Sequence, residues 1–99
     1  MFKIRLARSV EKDLEKLPVF YQNIILDKIK EKLSYEPSVP TKNRKILINL
    51  IPPWDAVPPI WELRVGNYRV FYDVSESEKT VYIRSILKKS GGKTTEDIL

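Results

Sequence analysis

The stretch Trp61-Glu62-Leu63-Arg64-Val65-Gly66-Asn67-Tyr68-Arg69-Val70-Phe71-Tyr72 decides the fold. Gly66-Asn67 is a two-residue turn signal with glycine first, as a type II′ hairpin turn requires. A loop of that length fixes the register. Val65 faces Tyr68, Arg64 faces Arg69, Leu63 faces Val70, Glu62 faces Phe71 and Trp61 faces Tyr72. Side chains alternate along a strand, so Trp61, Leu63, Val65, Tyr68, Val70 and Tyr72 share one apolar face that must be covered. The opposite face carries Glu62, Arg64, Arg69, Phe71 and Asp73.

That second face sets two arginines directly across from each other, an arrangement that destabilises a sheet by up to about 1 kcal/mol. Either a phosphate bridges the two guanidinium forks, or Glu62 or Asp73 neutralises the pair and the cluster is a solvated face. The next apolar run, Val81 to Leu87, extends the sheet. With Val81 opposite Val74, the residues Val81, Ile83, Ser85 and Leu87 point to the core. Tyr82, Arg84, Ile86 and Lys88 then join the charged face. The expected result is an open surface holding Arg64, Arg69, Arg84 and Lys88, with Lys89 at its rim. Lys42, Arg44 and Lys45 would close the groove from the preceding segment. Edged by Phe71, Tyr82 and Trp54, such a cleft suits a single-stranded nucleic acid. Trp61, Tyr68 and Tyr72 read as packing residues, and Trp54 as a cap on the sheet or a stacking platform.

The sequence before the hairpin supplies the cover. Phe2, Ile4 and Leu6 alternate with Lys3 and Arg5, a short strand. Ser9 offers an N-cap, and Val10, Leu14 and Leu17 form one face of a helix that Pro18 ends. A longer helix runs from Val19 to about Tyr35, with Tyr21, Ile25, Ile29 and Leu33 as its apolar stripe. Its lysine-rich outer face is solvated, and Glu36-Pro37 stops it. Ile46 to Ile51 reads as a strand, and Pro52-Pro53 and Pro58-Pro59 bracket a stiff loop. Ser90 to Lys93 is a flexible exit, and Thr94 to Leu99 a loose tail. The fold class is α+β: an N-terminal strand and a helical hairpin packed on one face of a mostly antiparallel sheet, as a single domain over 1–99.

Composition narrows the chemistry. The 99 residues include no cysteine and no histidine, which removes disulfides, thiolate and imidazole metal ligands, cysteine nucleophiles and the usual general base. No metal and no cofactor are expected. The net charge of +5 favours an anionic partner. Nothing resembles a signal peptide or a membrane span, which points to a cytoplasmic protein with no membrane contact.

The order strand, helical hairpin and meander, with W-E-L-R-V-G-N-Y-R-V-F-Y at residues 61–72 and the basic end of the run from Val81 to Lys89, resembles the RelE/ParE family of bacterial type II toxins. The resemblance spans nearly the whole chain and implies a compact fold like that of microbial ribonucleases. For RelE-like members it implies a ribosome-dependent mRNA endoribonuclease, in which the RNA 2′-hydroxyl attacks the adjacent phosphate. It implies that Arg69 stabilises the scissile phosphate, that Arg64 assists from the facing strand, and that Lys88 and Lys89 are the basic pair ending the last strand. RelE-like enzymes often carry a tyrosine or histidine in the C-terminal tail, and residues 90–99 have neither. Where some relatives have lysine this chain has Glu62, either a base for the 2′-hydroxyl or an ion-pair partner. The resemblance further implies an acidic antitoxin that packs on the sheet or helices and covers the basic face, mRNA and the ribosome as targets, and DNA contact only through the antitoxin. A ParE-like gyrase inhibitor and a catalytically degenerate toxin acting as an antitoxin-bound corepressor are the alternatives.

Overall fold

The computed structural model describes residues 1–89 and 91–99; Ser90, the start of the expected exit loop, lies outside the described residues. The elements are β1 (Lys3–Leu6), α1 (Arg8–Glu15), α2 (Val19–Leu33), β2 (Arg44–Leu47), β3 (Ile60–Val65), β4 (Tyr68–Ser75), β5 (Thr80–Lys88) and α3 (Thr95–Ile98). The five strands form one sheet in the order β1-β5-β4-β3-β2. β1 runs parallel to β5, and every other pairing is antiparallel. The α+β architecture expected from the sequence is the one observed.

The helices cover one face of the sheet. Val10 and Leu14 of α1, with Ile25, Ile29 and Leu33 of α2, pack on the inward residues of β3, β4 and β5. Leu33, Leu63, Val70, Tyr72, Val81 and Ile83 have no solvent exposure. Truncating one such side chain to alanine costs about 2–5 kcal/mol. Helix α1 starts one residue before Ser9, which is therefore not its cap. The Ala7 amide bonds to the Ile83 carbonyl at 3.0 Å, which holds Ala7 extended as a continuation of β1, and the helix follows at once. Pro18 is the N-cap of α2, its carbonyl accepting from the amides of Tyr21 and Gln22.

β2 is shorter and earlier than the expected strand over Ile46–Ile51. Its pairing with β3 ends at Leu47↔Ile60, and Asn49 adopts a positive φ of 57°, which breaks the extended run. Ile48 and Ile51 are left exposed.

The β3–β4 hairpin has the expected register residue for residue, with Gly66 at φ 56° in its turn. β5 departs from expectation. Val74↔Val81, Asp73↔Tyr82 and Tyr72↔Ile83 pair as anticipated, but the next pair is Phe71↔Ser85. Arg84 is the extra residue of a β-bulge, and every side chain after it changes face. Ile86 therefore enters the core instead of the charged face, and Lys88 pairs with Tyr68 on the helix side. Ser85 and Leu87 take the outer positions, opposite Phe71 and Arg69. The gain is plain: unbroken alternation would have left Ile86 facing outward.

The tail is not loose. Thr94 and Asp97 form a reciprocal capping box that starts α3, and Thr95 is buried. Among the described residues, no helix is long and apolar enough to cross a membrane.

Candidate functional site

The outer face of the sheet is where the candidate residues were expected to meet. At its centre lies Glu62, only 3% exposed. The Thr95 hydroxyl donates to its Oε1 at 2.6 Å. Arg69 Nε lies 3.7 Å from the same oxygen, and Lys45 Nζ lies 3.5 Å from Oε2. Both carboxylate oxygens are thus committed beneath α3. Glu62 sits at the hub of ion pairs with Arg69 and Lys45.

Arg69 is buried as well. Its Nη1 donates to the Gly66 and Tyr68 carbonyls, each at 2.9 Å, which ties the side chain to its own hairpin turn. Burial lowers its pKa, the facing Arg64 lowers it further, and Glu62 opposes the shift. Arg64 stands opposite Arg69 in the ladder and is exposed. Glu62 pairs with Arg69, and among the described residues no carboxylate lies within ion-pair distance of Arg64, so the like-charge arrangement is only partly offset. Lys89 follows β5, and its amide donates to the Asn67 carbonyl at 2.6 Å, which fixes the backbone there beside the turn.

The other expected cations are deployed elsewhere. Arg84, carried out by the bulge, grips Asp73 with two bonds of 2.7 and 3.1 Å. That bond to Asp73 raises its pKa. Asp73 is itself 2% exposed and also accepts the Val57 amide at 3.2 Å. Asp73, held by Arg84, therefore pins the proline-rich loop to the sheet. Arg44 falls on the helix side of β2, opposite Leu63. Its Nη1 donates to the carbonyls of Lys32 and Glu36, so it closes the C-terminal end of α2, where a cation suits the helix dipole. Lys88 faces the helices for the reason of register given above. Lys42 is exposed in the turn between Thr41 and Arg44 and is not part of the sheet.

The aromatic edge of the expected cleft is also closed. Phe71 has no exposure and lies beneath Trp54, ring centroids 5.2 Å apart, so Trp54 is a cap on the sheet. Tyr82 donates to Glu78 at 2.6 Å, which raises its pKa, and stacks under the Arg84 guanidinium. What the fold presents to solvent is a smaller set around the hairpin turn: Arg64 and Lys45 on adjoining strands, with Lys89 beside the turn.

Sequence reading missed two residues here. Thr95 seals Glu62, and the T-x-x-D spacing of its capping box was the available signal. Arg5, paired with Tyr82 through the parallel β1–β5 contact, adds a cation to the far edge of the same face.

The chain is similar to the toxin in the RelBE2 toxin–antitoxin complex from Mycobacterium tuberculosis, with TM-score 0.70 and 22% identity over 90% of this chain and 98% of that one. It is similar to the archaeal RelE–RelB complex from Pyrococcus horikoshii, with TM-score 0.68 and 26% identity over 93% of this chain and 98% of that one. It is also similar to the isolated E. coli RelE toxin, with TM-score 0.70 and 16% identity over 97% of this chain and 90% of that one. No curated protein sequence matches it significantly. The model of the family described as the ParE toxin of the type II toxin–antitoxin system, parDE, matches residues 4–91, so the chain belongs to the ParE toxin family and is a toxin of the RelE/ParE type.

Proposed function

We propose that this toxin inhibits translation as a ribosome-dependent endoribonuclease, with an acidic antitoxin as its inhibitor. The reading is carried by exposed Arg64 standing directly across from Arg69, which the turn carbonyls hold in place. An exposed guanidinium, with no ion-pair partner among the described residues, next to a fixed one gives a site for an anion with two negative oxygens. In the reaction the RNA 2′-hydroxyl oxygen bonds to the adjacent phosphorus and gives its proton to water, the bond to the 5′-oxygen breaks and that oxygen takes up a proton from water, and a 2′,3′-cyclic phosphate and a 5′-hydroxyl result. Arg64, with Lys45 and Lys89, stabilises the charge that gathers on the phosphate oxygens. The nucleophile belongs to the RNA, so the missing cysteine and histidine are no obstacle. Glu62 keeps Arg69 and Lys45 in register instead of taking the proton. RelE–RelB complexes among the structural relatives, together with the net charge of +5, support the acidic antitoxin.

The test is induction in cells, with the 5′ ends of messages mapped by primer extension. Wild type is expected to cut within coding regions, and Arg64→Ala to cut about 100-fold less. Identical patterns would refute the reading. The family match over residues 4–91 favours one other, a gyrase inhibitor. Intact messages with loss of supercoiling by purified gyrase would establish that instead.

A further inference from the structure

One edge of the sheet is β2, the last strand in the order β1-β5-β4-β3-β2. The Arg64 amide donates to the Asn43 carbonyl at 2.8 Å, so by alternation Asn43, Lys45 and Leu47 turn their backbone groups to β3. Arg44 and Ile46 turn theirs outward. Those of Arg44 are taken by Thr41, at 2.8 and 3.3 Å. Those of Ile46 meet no neighbouring strand, and among the described residues Ile48 makes no backbone bond. An open edge therefore runs from Ile46 to Ile48, before Asn49 at φ 57° breaks it.

Proteins usually blunt such an edge with charge. Here both cations of β2 are drawn away from it. Arg44 donates to the carbonyls of Lys32 and Glu36, and Lys45 is paired with buried Glu62. What remains is apolar: Ile46 is 38% exposed, Ile48 76% and Ile51 94%. On the outer side of the same edge lies a hollow of about 630 Å³, lined by Leu47, Ile51, Trp54, Pro58 and Ile60. The run from Ile46 to Ile51 holds no charged residue, and an acidic strand would find no uncommitted cation beside it. The segment is instead complementary to itself. Paired antiparallel about Leu47, it sets Leu47 against its own counterpart, Ile46 against Ile48 and Lys45 against Asn49, so no like charges meet. The outward groups of Ile46 and Ile48 then exchange their bonds twice over by symmetry.

We propose that two copies of this chain associate about a two-fold axis at Leu47, joining their β2 edges into one continuous sheet. This does not depend on the nuclease reading. The test is sedimentation velocity of the full chain between about 1 and 100 μM, which is expected to pass from one chain mass to two. Ile48→Pro removes an amide that the pairing uses, at an exposed position outside β2. It is expected to weaken association at least about tenfold while the melting temperature of the monomer, read at about 1 μM, stays where it was. The chain has no cysteine, so a single introduced thiol can join only two copies. Leu47→Cys lies on the axis, where α-carbons about 4.5 Å apart suit a disulfide. Oxidation is expected to link it at least about tenfold faster than Val19→Cys on α2. A chain that stays single throughout, an Ile48→Pro variant that associates like wild type, or equal linking of the two thiols each overturns the proposal. Loss of the dimer in Phe20→Ser and not in Ile48→Pro also overturns it, in favour of a contact through α2.

Discussion

The Tyr72 hydroxyl is buried under the chain that leaves α2 and donates to the Pro37 carbonyl at 2.8 Å. Burial raises its pKa far above the ordinary tyrosine value, with Arg44 pulling weakly the other way. Below the unfolded value of about 10, both states keep the proton and folding feels nothing. Above it the unfolded chain releases a proton that the native chain retains, so stability falls as pH rises, by about 1.4 kcal/mol per unit from this residue. Urea unfolding between pH 8 and 11 should show that slope, and Tyr72→Phe should lack its Tyr72 part. A slope equal in both proteins would exclude Tyr72 as its source. The place of Tyr72 on the core face was legible in the sequence, because a two-residue turn admits only one register. The fate of each arginine was not. Arg44, Arg69 and Arg84 all stand in apolar runs, but their partners are carbonyls of Lys32, Gly66 and Tyr68 and the carboxylate of Asp73. Backbone acceptors carry no sequence signal.

At the level of elements, the bulge and the short helix α3 are the features that local pattern could not give. The run Ile83-Arg84-Ser85-Ile86-Leu87-Lys88 alternates acceptably in either register, and only the demand to bury Ile86 while pairing Asp73 selects the bulge. Helix α3 has a readable cap but little apolar content, and among the described residues the side-chain contact that docks it is polar, Thr95 to Glu62. Thr95→Val keeps the shape and removes the donor from a buried carboxylate. The expected cost is about 1.5–3 kcal/mol in urea unfolding, with faster amide exchange along α3. Unchanged stability would mean that α3 does not seal the hub.

Across the whole molecule, which carries a net charge of +5, cations stand on both faces of the sheet. Lys45 and Arg64 stand on the outer face of β2 and β3 and the Lys89 backbone lies beside the hairpin turn, whereas Lys88 lies on the helix side. Binding to a single-stranded RNA should therefore depend on salt through the first set alone. Each of Lys45→Gln, Arg64→Gln and Lys89→Gln should flatten the plot of log affinity against log salt by about 0.7, and Lys88→Gln should leave it unchanged. Equal effects from all four would mean a diffuse field with no preferred face.

The parallel contact of β1 with β5 gives the molecule a history as well as a shape. Lys3 pairs with Thr80 and Leu6 with Ile83, so the first strand to be synthesised waits for nearly the last. Until β5 is made, β1 has no neighbour in the sheet, and α1 has no β5 surface to settle on. Long-range pairing of this kind is slow to form. The five-stranded sheet is therefore complete only once β5 has been made.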